Sequence, residues 1–140
     1  MDCLPLGHKA CRDGKSVLYH PAPRLFEALA LARGDGRYGR LLKALARVQL
    51  LILDDRGLSV LTEPEQRDLL EILEDRHQRA STIDTSQVPV EQWCEVIGNP
   101  TLADAILDRL VHNAHRLPMT GESMRKLAAK KRVLDGAPKA

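Results

Sequence analysis

A chain of 140 residues is long enough for one domain with a sizeable core, and its 44% hydrophobic and 29% charged residues are ordinary for a soluble globular protein. Because 21 basic residues are nearly balanced by 19 acidic ones, net charge alone does not indicate a nucleic-acid partner. No signal segment or apolar stretch long enough to span a membrane is visible, and the three cysteines form no paired framework. These features predict a cytoplasmic protein with reduced thiols and no membrane contact.

The first third of the chain alternates between helix and strand patterns. Apolar spacing, together with Gly and Pro breaks, predicts a short helix that ends at Gly14. A strand at 16–20, a helix at 24–33, a turn at 34–36 and a helix at 40–47 are expected to follow.

An apolar run then ends in two carboxylates. Residues 48–53 are apolar apart from Gln49, and Asp54 and Asp55 follow directly. The run is too uniformly apolar for a strand with one solvent-exposed face, so we expect it in a parallel sheet covered by helices on both sides. Such sheets carry their functional groups at the carboxyl ends of their strands, which makes Asp54 and Asp55 candidate site residues.

The second half of the chain alternates in the same way. Thr62 and Glu65 match a capping box that starts a helix ending near residue 79. The elements expected after it are a strand at 81–87, a helix at 90–96, a helix capped by Thr101 and ending near residue 113, a last short strand at 115–119 and a helix at 122–131. This alternation predicts an α/β fold with a mainly parallel sheet.

The pair Asp54 and Asp55 has two interpretations. Successive strand residues point to opposite faces, so the two carboxylates are expected to have different roles. An apolar run ending in two acids is the Walker-B pattern of P-loop NTPases, in which the first carboxylate holds Mg²⁺ and the second acts on the attacking water. The same residues are equally compatible with an acidic turn after a buried strand.

Two glycine motifs match nucleotide-binding patterns only in their letters. The Gly-Lys-Ser triplet at 14–16 ends like a Walker-A loop, but it lacks the required glycine five residues earlier and follows a helix instead of a strand. The glycines at 34, 36 and 39 also follow a helix, so we interpret them as a turn rather than a dinucleotide site.

Basic residues in the last third of the chain also allow alternatives. Arg109 borders an apolar helix stripe, where it is placed either to reach a phosphate across an interface or to form an ion pair with Asp104, with Asp108 or with an acid of a neighbouring element. The segment 125–139 holds six basic residues against one acid, Asp135. It is compatible with contact to a phosphate backbone or with a solvated C-terminal helix.

Seven segments, in family order, resemble the IstB-like transposition helper ATPases, relatives of the helicase loader DnaC and the replication initiator DnaA within the AAA+ class. They are GHKAC at 7–11, VLY at 17–19, RYGRLL at 37–42, LLILDD at 50–55, TSQ at 85–87, LDRL at 107–110 and GESMR at 121–125. The resemblance implies a P-loop NTPase-like three-layer α/β sandwich that uses ATP and Mg²⁺. It also implies ATP-dependent oligomers that bind DNA and regulate a transposase.

The resemblance further implies a role for individual residues. By this likeness Asp54 is the Mg²⁺-associated carboxylate, Asp55 is catalytic, Ser86 or Gln87 contacts the γ-phosphate, Arg109 is an arginine finger and Arg125 is the sensor-2 arginine. Two positions depart from the family pattern, since Arg56 stands where Trp is usual and Asp84 stands where an apolar residue is usual. A charge in a strand buried on both faces is costly unless it is paired.

The family's Walker-A segment should lie immediately before Leu6 or Gly7, where this sequence has none. We therefore expect an N-terminally truncated copy, with a partial AAA+ ATPase core lacking the P-loop at 1–120 and a basic C-terminal helix and tail at 121–140. Such a copy is expected to show little or no ATPase activity alone and to leave an unpaired apolar edge at 50–53. The alternative is a non-catalytic interaction protein that joins or inhibits oligomers of a full-length relative.

Overall fold

A parallel sheet of three strands, in the spatial order β1-β2-β3, organises the computed structural model of the chain. The strands are β1 (Val17–Pro21), β2 (Leu50–Arg56) and β3 (Ser81–Ser86). The helices are α1 (Leu4–Arg12), α2 (Ala22–Asp35), α3 (Tyr38–Arg47), α4 (Glu63–Arg76), α5 (Trp93–Ile97, after a 3₁₀ turn at Val90–Gln92), α6 (Pro100–Leu110) and α7 (Met124–Asp135). The structure describes residues 4–56, 60–112, 114–121 and 124–135. Within these ranges no helix combines the length and the apolar character needed to cross a membrane.

Helices cover both faces of the sheet. Leu51 and Leu53 of β2 are 0% and 1% exposed and pack into a core shared with the buried residues of α2 to α6. Leu50 and Ile52 point to the opposite face, because side chains alternate along a strand, and they pack with Ala10 of α1. The predicted three-layer α/β arrangement with a parallel sheet is therefore confirmed.

The apolar run occupies the central strand of this sheet. Leu51 is paired with Leu18 of β1 and with Thr82 of β3. The expected unpaired apolar edge at 50–53 is wrong, because parallel partners flank β2 on both sides. β3 is instead an outer strand of the described sheet, and none of its residues is fully buried. Asp84 lies on this outer strand and has an interaction partner, so it does not carry the cost of an unpaired charge buried on both faces.

The helix starts follow local capping rules, with one difference from prediction. Thr62 and Glu65 form the expected capping box, in which the Glu65 carboxylate accepts a hydrogen bond from the Thr62 N–H over 2.9 Å. The cap of α6 is Asn99, whose side-chain oxygen accepts hydrogen bonds from the backbone N–H groups of Thr101 and Leu102. The expected Thr101 cap is wrong, because the helix begins at Pro100, two residues before the start that a Thr101 cap requires, and proline is favoured in a first helical turn.

The segment before α7 also differs from prediction. Residues 114–120 have no regular secondary structure, so the expected short strand at 115–119 is wrong. Leu117 and Met119 are 68% and 67% exposed, and Pro118 between them has no N–H group for a strand ladder. Apolar residues form a strand only where a partner strand or a core surface receives them.

A buried arginine joins the amino-terminal edge of the sheet to the helical layer. Arg76 of α4 is 1% exposed and donates hydrogen bonds to the backbone carbonyls of Leu45 and Val48, each over 2.7 Å. It also donates to the carbonyl of Ser81 and to the hydroxyl of Thr82. Burial lowers the pKa of the Arg76 guanidinium. One side chain thus ties the end of α3 to the starts of β2 and β3.

Candidate functional site

Asp54 lies at the carboxyl end of β2 and contacts one side chain from each neighbouring strand. The Tyr19 hydroxyl of β1 donates a hydrogen bond to Oδ2 of Asp54 over 2.5 Å. The Thr85 hydroxyl of β3 donates a hydrogen bond to Oδ1. Asp54 and Thr85 are half-buried, whereas Tyr19 is 37% exposed. The carboxylate is therefore held from both sides at the edge of the sheet where functional groups are expected.

Strand register explains the contact between β1 and β2. Tyr19 is paired with Ile52, and Asp54 follows two residues later on the same face, because every second residue of a strand points the same way. Pro21 is the direct partner of Asp54. A proline side chain has no hydrogen-bond donor, so the longer side chain of Tyr19 provides the contact along the diagonal.

The pairing of β2 with β3 is irregular at the two acids. Leu53 is paired with Asp84 and Arg56 with Ser86, so that two residues of β2 lie opposite the single residue Thr85. An extra residue of this kind interrupts the ladder and redirects nearby side chains, and such irregularities are common beside active sites. Different roles were predicted for Asp54 and Asp55 because side chains alternate between the two faces of a regular strand. That alternation is interrupted at this irregularity. The side chain of Asp55 lies outside the described residues.

The Thr85-Ser86-Gln87 segment lies at the carboxyl end of β3, at the same edge of the sheet as Asp54. Ser86, a predicted phosphate-contacting residue, is half-buried and accepts a hydrogen bond from the backbone N–H of Val88 over 3.1 Å. Gln87 is exposed and has an interaction partner. Sequence reasoning missed Thr85, the residue that contacts Asp54. A partial signal was present, since Thr85 belongs to the predicted strand at 81–87 and directly precedes Ser86.

The donor atoms around Asp54 fit a magnesium ion better than a transition metal. Among the described side chains no group of three His, Cys, Asp or Glu residues is placed to hold a metal. The Asp54 carboxylate and the Thr85 hydroxyl are hard oxygen groups. Mg²⁺ is usually bound by one or two carboxylates together with substrate phosphates and water, so a complete protein cage is not required.

The two rejected glycine motifs lie outside this edge of the sheet. Gly14 ends α1 with a φ of 76°, and the residues after it lead into β1 instead of opening a helix. Ser16 accepts a hydrogen bond from the Gln49 backbone N–H over 2.9 Å. The glycines at 34, 36 and 39 lie in the junction between α2 and α3, where Gly36 has a φ of 78°. Both interpretations as non-nucleotide turns agree with the structure.

Comparison with a protein-family model decides the family. Residues 3–132 match the model described as IstB-like ATP binding protein. The chain belongs to this family. The resemblance drawn from the short motifs is therefore confirmed.

Known IstB-like relatives are longer than this sequence. A protein from Sinorhizobium fredii, described as an insertion sequence ATP-binding protein, is 69% identical over 121 residues, which are 86% of this chain and 49% of the relative. An ATP-binding protein of insertion sequence IS21 from Pseudomonas aeruginosa is 38% identical over 122 residues, which are 87% of this chain and 46% of the relative. The chain thus spans about half the length of these relatives.

Solved structures share the fold of the IstB-like chain. A replication initiator DnaA, bound to AMPPCP and single-stranded DNA, has a TM-score of 0.61 at 19% identity and covers 71% of this chain and 31% of its own. The DnaC helicase loader has a TM-score of 0.55 at 16% identity and covers 71% of this chain and 61% of its own. At these identities the likeness shows the fold alone.

The remaining predicted site residues of the IstB-like chain belong to helices instead of strands. Arg109 is in the last turn of α6, a helix that packs against α4 and α5, and it forms an ion pair with Asp108 over 2.5 Å. Asp108 is one of the ion-pair partners that the sequence allowed for Arg109. Asp108 also contacts Nδ1 of His112 over 2.7 Å, and this hydrogen bond lowers the pKa of its carboxyl. Arg125 lies in the first turn of α7, and its side chain is outside the described residues.

Proposed function

We propose that this IstB-like chain supplies the residues of an ATP site that bind the metal ion and orient the attacking water. In this site Asp54 is the carboxylate associated with Mg²⁺, and Asp55 orients the attacking water. The observation that carries the proposal is the position of Asp54 at the carboxyl end of the central strand, where Tyr19 and Thr85 hold its carboxylate. In open parallel sheets ligands bind outside the carboxyl ends of the strands.

The reaction is the transfer of the γ-phosphoryl group of ATP to water. Catalysis of this reaction depends mainly on positioning and on stabilisation of charge. Mg²⁺, when bound, neutralises charge on the phosphate oxygens. Asp55 accepts a hydrogen bond from the water, while Ser86 or Gln87, at the end of β3, contacts the γ-phosphate. Arg109 and Arg125 are the proposed cations for the phosphates, with Arg109 acting on the nucleotide of a neighbouring subunit.

Tight phosphate binding requires groups that these 140 residues do not supply, so ATP is expected to bind them only at millimolar concentration. The sequence contains no Gly-x₄-Gly-Lys-Ser/Thr segment, and such a loop provides the N–H groups and the lysine that hold a triphosphate. We therefore assign residues 1–120 to a partial ATPase core and residues 121–140 to a basic helix and tail. The 140-residue polypeptide has little or no ATPase activity by itself. Hydrolysis requires a phosphate-binding segment from a longer chain or from another family member.

Nuclear magnetic resonance of the labelled polypeptide tests the site. Millimolar ATP with Mg²⁺ is expected to shift the backbone amides of Leu53, Asp54 and Thr85. Asp54→Asn is expected to remove the part of the shift that depends on Mg²⁺, whereas Asp104→Asn, at an exposed carboxylate of α6, leaves it unchanged. A Mg²⁺-dependent shift that survives Asp54→Asn, or no shift at this edge of the sheet, contradicts the proposal.

Hydrolysis assays test the second part of the proposal. ATP turnover by the purified 140-residue polypeptide is expected to stay at the background rate with and without Mg²⁺. Turnover that depends on Mg²⁺ and disappears in Asp55→Asn would contradict the predicted inactivity and would support the role of Asp55.

DNA, a transposase and further copies of the family are the proposed partners. The relatives are described by their insertion sequences, and the DnaA structure contains single-stranded DNA. In α7 the side chains of Lys126, Lys131 and Arg132 are exposed, as contact with a phosphate backbone requires. DNA binding is expected to weaken steeply with salt and to be lost when residues 125–140 are deleted. Salt-insensitive binding, or binding that survives the deletion, contradicts this role of α7.

The second candidate function is that of a non-catalytic protein that joins or inhibits oligomers of a full-length relative. The position of Arg109 favours it, because its side chain is 31% exposed and is held on the surface of α6 by Asp108. Co-purification with an intact family member is expected to be lost in Arg109→Ala and kept in Arg67→Ala. Arg67 is a suitable control because it is likewise an arginine paired with an acid on its own helix. No co-purification of the unmodified chain contradicts this function.

A further inference from the structure

Two hydroxyl groups restrain the carboxylate on which the proposed metal site depends. Tyr19 donates to one oxygen of Asp54 and Thr85 donates to the other. The two donors come from different strands, on opposite sides of β2. Rotation of the Asp54 side chain breaks at least one of these hydrogen bonds, so together they favour a single rotamer.

Two hydroxyl donors are compatible with a ligand on the same carboxylate. An ionised carboxylate has about four lone-pair positions, two on each oxygen. The hydroxyls of Tyr19 and Thr85 each take one position on a different oxygen, so these two contacts orient Asp54 without by themselves using up its capacity to accept.

Irregular pairing makes such restraint necessary at this place. Two residues of β2 lie opposite Thr85, so the pairing with β3 does not define the direction of the β2 side chains there. The hydrogen bonds from Tyr19 and Thr85 orient the Asp54 side chain in its place.

We propose that Tyr19 is a positioning residue, which together with Thr85 fixes the rotamer of Asp54 for metal binding. The metal-binding part of this inference rests on the proposed function. Partners that orient a metal-binding carboxylate typically contribute a factor of about 10 to 100 in affinity. Tyr19 is 37% exposed, and water therefore competes for its hydrogen bond. We accordingly expect the lower limit, about tenfold, for Tyr19→Phe.

The first measurement needs no metal. Three-bond couplings to the Hβ protons of Asp54 report its side-chain rotamer in the 140-residue protein. The unmodified protein is expected to show one rotamer, and Tyr19→Phe is expected to show averaging between several. Tyr38→Phe removes a tyrosine hydroxyl that contacts Asp68 instead, so it leaves the couplings unchanged. A single, unchanged rotamer in Tyr19→Phe overturns the inference.

The second measurement uses Mn²⁺ alone as the probe, followed by the broadening of amide signals near Asp54. Tyr19→Phe is expected to need about tenfold more Mn²⁺ than the unmodified protein for the same broadening. If Asp54→Asn abolishes the broadening but Tyr19→Phe needs no additional Mn²⁺, the inference is wrong and the proposed site stands. If Asp54→Asn leaves the broadening unchanged, the proposed metal site is wrong, and the rotamer measurement still decides the role of Tyr19.

The variants Thr85→Ser and Thr85→Val test the inference independently, in case Tyr19→Phe does not fold. Serine keeps the hydroxyl, whereas valine keeps the shape and loses the donor. Thr85→Ser is expected to retain the single Asp54 rotamer and the normal Mn²⁺ requirement, and Thr85→Val is expected to lose both. Equal behaviour of the two variants overturns the inference.

Discussion

Tyr38 of α3 donates a hydrogen bond over 2.7 Å to Asp68, a carboxylate of α4 that is 2% exposed. Arg33 of α2 pairs with the same carboxylate, and its guanidinium carbon lies 4.6 Å from the centre of the Tyr38 ring. Three helices therefore meet at one buried charge. Because burial and the hydrogen bond to Asp68 oppose ionisation of the phenol, the pKa of Tyr38 is raised to about 12.

We expect this tyrosine to make the folded state less stable at high pH. In the unfolded chain the phenol ionises near its ordinary pKa of 10.0, whereas in the folded protein Tyr38 stays neutral until about 12. A raised pKa contributes stability that is complete below the unfolded value and is lost as pH rises through the folded value. Urea unfolding at several pH values between these two limits measures the loss.

Tyr38→Phe is the control for this effect. Every other ionisable residue is the same in both proteins, so the difference in the pH dependence of the unfolding free energy isolates Tyr38. The free energy of the variant is expected to fall less steeply over this range. Equal slopes for the two proteins would contradict the assignment.

Arg76→Met is expected to be strongly destabilising. It removes the donor from three backbone carbonyls and one hydroxyl. Since each unsatisfied buried polar group costs about 1–3 kcal/mol, we expect a loss of about 3–5 kcal/mol in the free energy of unfolding. The fluorescence of Trp93, the single tryptophan, follows the urea transition. Arg67→Met, at an exposed arginine of the same helix, is expected to cost less than about 1 kcal/mol. Similar losses of unfolding free energy for the two variants would show that the buried hydrogen bonds of Arg76 do not stabilise the fold.

Asn99 and Thr101 are expected to differ as caps of α6. Asn99→Ala removes the side-chain oxygen that accepts from two backbone N–H groups, and we expect it to cost about 1 kcal/mol of stability. Thr101→Ala, inside the helix, is expected to change stability by less than about half of that. Thermal unfolding measures the stability of both variants. A larger loss for Thr101→Ala than for Asn99→Ala would show that Thr101 is the cap.

His112→Ala is expected to raise the pKa of the Asp108 carboxyl towards its ordinary value. The hydrogen bond from His112 is the main cause of the lowered pKa. A lowered pKa contributes stability that is present above the unfolded value and is lost as pH falls through the folded value, so the variant loses this contribution. The carboxyl carbon signal of Asp108, followed against pH, measures the change. His115→Ala, in the exposed segment at 114–120, is expected to leave the Asp108 pKa where it is.

Patterns of short range predicted most of the elements around the site. The apolar run at 48–53 indicated β2, and the capping box at Thr62 marked the start of α4. The context of the Gly-Lys-Ser triplet was sufficient to reject it as a phosphate loop. These predictions depend on periodicity, capping and chain breakers, which act within a few residues. The strand expected at 115–119 failed because its formation depends on a distant partner.

By itself the sequence determined that helices alternate with strands, that an apolar strand ends in Asp54 and Asp55, and that the chain resembles one family. Only the tertiary structure decided that this strand is central and that Tyr19 and Thr85 hold Asp54. The two donors lie 35 and 31 residues away from Asp54 along the chain. They meet it through the register of parallel strands, which depends on how the helices pack and which no local pattern specifies.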